Sequence, residues 1–273
     1  GCNREFSSED VDYDLVARSR LFHFGYPTLM DRFFAEGGGE LEKMFARAAQ
    51  TGAATSLDLT IPDPDSPSGK ADWREILERA LPHVDVFVPS AEEILATMAP
   101  EEYGRIASNA AGGDMIDAVP EGLLRELGGR LLDCGVKVLL IKAGHRGAYL
   151  RTGDVAALNA KGFELPDENW SNREMWAPAF ALDREKVQNA SGAGDAAVAG
   201  FLAAMLDGTT VEAAAKCAML AGRDNLYGAD ALAGLPDWQG MAGELLSERA
   251  PASDLRLSTA FEFCEDTGVW NAK

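Results

Sequence analysis

Short apolar runs alternate along the first half of the chain with stretches whose apolar residues recur every three or four positions. "SRLFHFGYP" reads as a buried strand, and two helical stretches follow it through Gln50. "ATSLDLTIP" is the next strand. It breaks into "PDPDSPSGK", a loop of Pro, Ser and Asp, ahead of a helix over residues 71–80. "HVDVFVPS" is a third strand and residues 91–98 a further helix. Residues 99–118 show no strong period and read as a mobile connection. Over residues 121–134 the helical period returns, with Leu123, Leu124, Leu127, Leu131 and Leu132 on one face. "KVLLIKAG" then reads as a central strand and "GAYLRTG" as its hairpin partner across "HR". This succession of strand, helix and strand predicts the α/β class, a parallel sheet covered by helices on both faces.

After residue 150 the pattern shortens. "GDVAALNA" and "MWAPAFALD" read as strands, and helices follow over residues 194–206, 210–226 and 236–246. In the tail, "DLRLSTAFEF" alternates Leu255, Leu257, Phe261 and Phe263, the period of two that marks a last strand. One α/β core over residues 1–250 and a C-terminal tail over 251–273 is the expected division. No internal repeat or low-complexity segment interrupts it.

A chain of 273 residues can bury one sizeable core or two small ones. Its 47% apolar and 25% charged residues are those of a globular protein rather than a disordered one. The net charge of −19 would repel a phosphate backbone, which argues against nucleic acid as a partner. Any bound nucleotide must find local positive potential against that field. The four cysteines form no CxxC pair and the three histidines stand at least 60 positions apart, so no metal-ligand spacing occurs. No run of 18 apolar residues and no apolar signal-peptide core at the N-terminus is present. The chain reads as cytoplasmic, with reduced thiols and no membrane partner.

The candidate chemistry lies in "VQNASGAGDAAVAGFLAAML", where small residues crowd against one carboxylate, Asp195, at the start of a helical run. The dinucleotide fingerprint is formally met by Gly192, Gly194 and Ala197, but it requires a following strand with an acid at its end. Here a helix follows a helix. The phosphate-binding loop ending in GK[ST] is not met either, because "SGK" at residues 68–70 runs on into Ala71. Two readings remain. In one, the glycines allow a tight turn and Asp195 complements the helix dipole. In the other, backbone N–H groups at the helix start bind developing negative charge and the carboxylate accepts a proton from an attacking hydroxyl, as phosphoryl transfer requires.

This stretch resembles the second signature of the ribokinase-like (PfkB) carbohydrate kinases, approximately D-T-x-G-A-G-D followed by a helix of small residues. Gly192, Ala193, Gly194 and Asp195 are kept, as are Ala199, Gly200 and Phe201, while Asn189 replaces Asp and Ala190 replaces Thr. "VDVFVPSAEEILATM" is similar to the family's strand followed by N-x-x-E, with Ser90 for Asn and Glu93 as the acid. "VLLIKAGHRGAYLRT" is similar to the strand, glycine turn and strand along the nucleotide. Asp58, at the end of "SLDL", matches an acidic strand end. The resemblance covers residues 1–245.

It implies a Rossmann-like ribokinase-type core with a mostly parallel sheet. It also implies ATP-dependent phosphorylation of a hydroxyl on a sugar or sugar acid, with a nucleoside as the nearer alternative acceptor. From another class, a catalytically weak nucleotide-binding or regulatory homologue is the alternative suggested by Asn189, Ala190 and Ser90.

On that resemblance Asp195 is the general base, and Gly192, Ala193 and Gly194 form the anion hole. Lys142, Gly144 and Gly147 line the nucleotide, with Asn189, Cys217 and Ala221 close to it. Glu93 helps to place magnesium, and a monovalent cation is a further implied cofactor. The family's N-terminal third, with its first glycine-rich signature and its lid sheet, corresponds to nothing in this chain. The resemblance therefore implies a longer protein or a partner that supplies that part, and pairing of two copies through the lid.

Overall fold

The strands of the first half are parallel, as their alternation with helices requires, and those of the second half are not. The computed structural model describes residues 2–110, 112–246 and 255–273. The chain divides into two compact units, Gly1–Ile141 with Ala157–Gly162, and Lys142–Ala156 with Phe163–Lys273.

In the first unit β1 (Leu21–Phe24), β2 (Ala54–Leu57), β3 (Val86–Phe87) and β4 (Val138–Lys142) pair in that order, all parallel, with Leu21 opposite Ala54, Ser56 opposite Val86 and Val86 opposite Val138. Every residue of β2 is buried, including Thr55 and Ser56. Their hydroxyls are satisfied: Thr55 Oγ1 donates to the His83 carbonyl at 2.7 Å, and Ser56 Oγ shares a hydrogen bond with His23 Nδ1 at 3.1 Å. Helices α1 (Gly39–Gln50), α2 (Trp73–Ala80), α3 (Ala91–Met98), α4 (Pro100–Asn109) and α5 (Glu121–Asp133) supply the rest of the core. Their apolar spacing shows why: α1 buries Leu41, Met44, Phe45 and Ala48, and α5 buries Leu124, Leu127 and Leu131. Each such leucine contributes roughly 1.5–3 kcal/mol. Asp85 Oδ2 accepts the Thr55 N–H at 2.9 Å and the Lys161 ammonium at 2.6 Å, which ties residues 157–162 into this unit.

Two stretches depart from the sequence expectation here. Within residues 99–118 the chain forms α4 and a 3-10 turn at Met115–Ala118. Pro100 opens α4 at a position where its missing N–H costs nothing, yet Ile106 is the one residue α4 buries, so no apolar stripe marks it. Residue 111 lies outside the described residues. The leucine face of α5 is also narrower than expected, since Leu123 and Leu132 are only half-buried.

In the second unit β5 (Ala148–Thr152), β6 (Glu174–Ala177), β7 (Phe261–Cys264) and β8 (Val269–Ala272) are antiparallel, with β6 between β5 and β8, and β8 between β6 and β7. The helices are α6 (Ala193–Leu206), α7 (Val211–Leu226) and α8 (Trp238–Leu246). "GDVAALNA" is not a strand. Asp154 Oδ1 accepts the Ala156 N–H at 2.9 Å and starts a helical turn, Ala156–Asn159, that buries Leu158. In the tail Leu255 and Leu257 precede the strand rather than belong to it, and β7 turns at Gly268 (φ 70°) and returns as β8. Residues 247–254, where the expected core and tail meet, lie outside the described residues. Among the described residues no helix is long and apolar enough to cross a membrane.

The turn after β4 is built on two glycines with different reasons to be glycine. Gly144 (φ 51°) has open space where a side chain would start, whereas a Cβ on Gly147 (φ 95°) would lie 2.0 Å from the Ala177 carbonyl oxygen. The Ala143 N–H donates to the Gly147 carbonyl at 2.7 Å and closes the turn. Gly147→Ala is expected to cost about 2–4 kcal/mol through strain and overlap, and Gly144→Ala about 1 kcal/mol. Melting temperatures of the two variants would show this order, and equal losses would contradict it.

Glu212 anchors the start of α7. It accepts from Asn169 Nδ2 at 2.9 Å and from Arg173 Nη2 at 2.7 Å. Burial pushes its carboxyl up, but these hydrogen bonds and the Arg173 charge outweigh burial and hold it below the ordinary value of 4.5. A carboxylate with a lowered value stabilises the fold above the unfolded value and loses that contribution as pH falls below it. Glu212→Gln should therefore cost on the order of 2 kcal/mol at neutral pH. The gap to the parent should close as pH falls below 4.5. Urea midpoints on both sides of that pH provide the measurement, and a constant gap would contradict the assignment.

Candidate active site

The α6 turn is shaped by the backbone before any side chain acts. Gly192 is the N-cap of α6, in the left-handed region at φ 84°, and a Cβ there would meet Ala231 Cβ at 2.8 Å. Both the dihedral and the space require glycine. Upstream, Asn189 Oδ1 accepts the Ser191 N–H at 2.9 Å, and the Gln188 N–H donates to the Leu226 carbonyl at 2.9 Å, so the approach is held against the end of α7. The first bond within the helix runs from the Ala196 N–H to the Gly192 carbonyl at 2.8 Å. The first-turn N–H groups have no acceptor inside the helix. That of Ala193 reaches the Ala190 carbonyl only at 3.5 Å, at the outer limit of a hydrogen bond. Asp195 stands in this first turn and is exposed. The helix dipole adds positive potential at the same end.

Lys142 brings a charge to the turn. It ends β4, is 9% exposed, and its Cε lies 4.0 Å from where a Gly194 side chain would begin. Two residues far apart in sequence, both expected at the nucleotide, are thus neighbours. In a chain of net charge −19, a buried lysine close to a helix start is a local positive charge against the overall field. Gly144 and Gly147 sit in the turn that directly follows Lys142.

Cys217 and Ala221 are each 1% exposed and face α6: a Cβ on Gly200 would meet the Cys217 carbonyl oxygen at 2.7 Å and Ala221 Cβ at 2.8 Å. Burial pushes the Cys217 thiol up to about 12. Their contacts here are those of helix packing. Asn225, which sequence reasoning passed over, is fully buried near the end of α7, and its Nδ2 lies 3.5 Å from the Cβ position of Gly192. An amide in the last turn of an otherwise apolar helix face was the signal that could have found it.

In the first unit Glu93 has a local task. Its Oε2 accepts the Ser90 N–H at 2.6 Å while the Glu93 N–H donates to Ser90 Oγ at 3.2 Å, a capping box that starts α3. Asp58 is buried beyond β2, where its backbone exchanges hydrogen bonds with Phe24 and Tyr26 at 3.1 and 3.3 Å. Among the described residues no three of His, Cys, Asp and Glu form a metal-holding group.

The profile of the pfkB family carbohydrate kinases matches residues 38–224. No curated relative matches the chain in sequence. Among solved structures it is similar to an E. coli protein described as Ribokinase II, in complex with ATP and Mg2+, at 15% identity and a TM-score of 0.60, covering 89% of this chain and 64% of that one. The fructokinase of Xylella fastidiosa with bound ATP is 18% identical with a TM-score of 0.58, over 89% of this chain and 66% of its own. The ribokinase of Arabidopsis thaliana complexed with ribose and ATP is 17% identical with a TM-score of 0.55, over 86% and 58%. The chain thus spans less than two thirds of each of these relatives. The α/β fold is that of the ribokinase-like proteins, and with more than half of its length matched by the profile, the chain belongs to the pfkB family of carbohydrate kinases.

Proposed function

We propose that the protein containing this chain transfers the γ-phosphoryl group of ATP to a hydroxyl of a sugar or sugar acid. The observation that carries the reading is the glycine-capped start of α6, whose first-turn N–H groups have no acceptor within the helix, with Asp195 in the same turn and Lys142 beside Gly194. Asp195 takes the proton of the acceptor hydroxyl as its oxygen attacks the γ-phosphorus. The N–H groups of Gly192, Ala193 and Gly194, with Lys142, stabilise the charge on the transferring group. The nucleotide runs along Gly144 and Gly147. Cys217 and Ala221 serve it by holding α6 against α7.

Magnesium suits the chain's donors, which are oxygen rather than sulfur or imidazole, and it would neutralise phosphate charge when bound. The family resemblance assigns its placement to Glu93, whose carboxylate in the structure caps α3. A monovalent cation near residue 189 would meet the neutral amide of Asn189, already bonded to Ser191, and it enters no step of this mechanism. The same substitution favours a second reading, a nucleotide-binding homologue with weak turnover. ATP is bound in all three of these related structures and ribose in one of them. A nucleoside is the alternative acceptor.

If Asp195 only complements the helix dipole, Asp195→Asn costs about 1 kcal/mol of stability or less and leaves turnover intact. If it is the base, turnover on the best acceptor falls by about 10² to 10⁴, while ATP affinity is kept because the backbone of the turn is unchanged. The comparison needs the full-length protein, a panel of sugars, sugar acids and nucleosides, and magnesium or manganese. Turnover within about threefold of the parent removes the base assignment. ATP binding without turnover on any acceptor in the parent favours the second reading.

A further inference from the structure

Asn225 has an unusual position for an amide. Its side chain is fully buried, Nδ2 donates to the Ala231 carbonyl at 2.7 Å, and Oδ1 has no hydrogen-bond partner among the described residues. The bond to Ala231 fixes which way the amide points, since turning it over would set one carbonyl oxygen against another. A buried carbonyl oxygen without a partner lowers stability and is uncommon in native folds. An apolar side chain of similar branching would bury no such oxygen.

The amide is therefore kept for what its N–H group does. Ala231 belongs to a tightly wound segment. A Cβ on Gly228 would lie 2.5 Å from the Gly234 nitrogen, one on Gly234 would lie 2.2 Å from the Asp224 carbonyl oxygen, and Asp230 Oδ1 accepts the N–H groups of Leu232 and Ala233, both at 2.9 Å. This segment and the amide form the floor under the glycine turn: the Cβ position of Gly192 is 2.8 Å from Ala231 Cβ and 3.5 Å from Asn225 Nδ2.

We propose that Asn225 is a positioning residue for the anion-binding turn. By holding Ala231 through its N–H group it fixes the surface on which Gly192 rests, and so the direction in which the N–H groups of residues 192–194 point. It does not touch the nucleotide. The assignment rests on the proposal that this turn binds the phosphates of ATP.

Two near-isosteric variants of the full-length protein test it. Asn225→Leu removes both the donor and the unsatisfied oxygen, and the Ala231 carbonyl, on an exposed residue, can turn to water. Asn225→Asp keeps the shape and replaces the donor by an acceptor. Melting temperature and ATP affinity by titration calorimetry are read for the parent and both variants. The expected result is ATP affinity at least tenfold weaker in both variants, each shown to be folded by a cooperative melting transition.

A merely structural residue would move melting temperature and leave the affinity of the folded protein alone. Affinity within threefold of the parent in a folded variant overturns the assignment of Asn225 and leaves the nucleotide reading standing. Absence of ATP binding in the parent overturns the nucleotide reading, and this assignment with it.

Discussion

The approach of α6 to α7 is the constraint on which the candidate site depends. Gly200 sits so close to α7 that a methyl group there would press on the Cys217 carbonyl oxygen and on Ala221. From the other side, a Cβ on Gly222 would lie 3.2 Å from the Ala193 carbonyl oxygen and 3.5 Å from Ala197 Cβ. The two helices thus touch nearly backbone to backbone through a run of small residues, and interiors packed this closely transmit displacement rather than absorb it. Since α6 opens with the glycine turn and α7 ends beneath it, the depth of the crossing sets where the turn stands. The small side chains of "GAGDAAVAG" are thus explained twice, at its first residues by the turn and at Gly200 by the crossing.

Electrostatics impose a second constraint. In a strongly acidic chain positive potential is local, and at the start of α6 three sources of it coincide: the helix dipole, the first-turn N–H groups and Lys142. Glu93 shows the opposite case, a carboxylate held by local backbone geometry. Its Oε2 accepts the Ser90 N–H while its own N–H donates to Ser90 Oγ, so the carboxylate starts α3.

How much of this was legible follows from where each signal lives. Elements that bury a full stripe declared themselves: α1 through Leu41, Met44, Phe45 and Ala48, and α5 through its leucines. Elements held by caps or by one apolar residue did not. Helix α4 buries Ile106 and the turn at 156–159 buries Leu158, too little to produce a period. Strand β8 escaped because "VWNA" is short and mixed, and its partner β7 buries Phe261 while leaving Phe263 exposed, so strict alternation misleads there. In the site, the glycine turn was readable because dihedral demands are written in residue type. The meeting of Lys142 with Gly194 was not, since it is a product of topology, and neither was Asn225, whose role depends on Ala231 six residues on.

The crossing of α6 and α7 also carries a built-in chemical clock. Cys217 lies at its centre with a thiol that burial keeps protonated, hence unreactive, for as long as the helices stay together. A sulfhydryl reagent can reach it only after the packing around α7, the helix that ends beneath the glycine turn, has opened. The rate at which Cys217 becomes labelled is therefore a reading of how often the packing beneath the glycine turn opens.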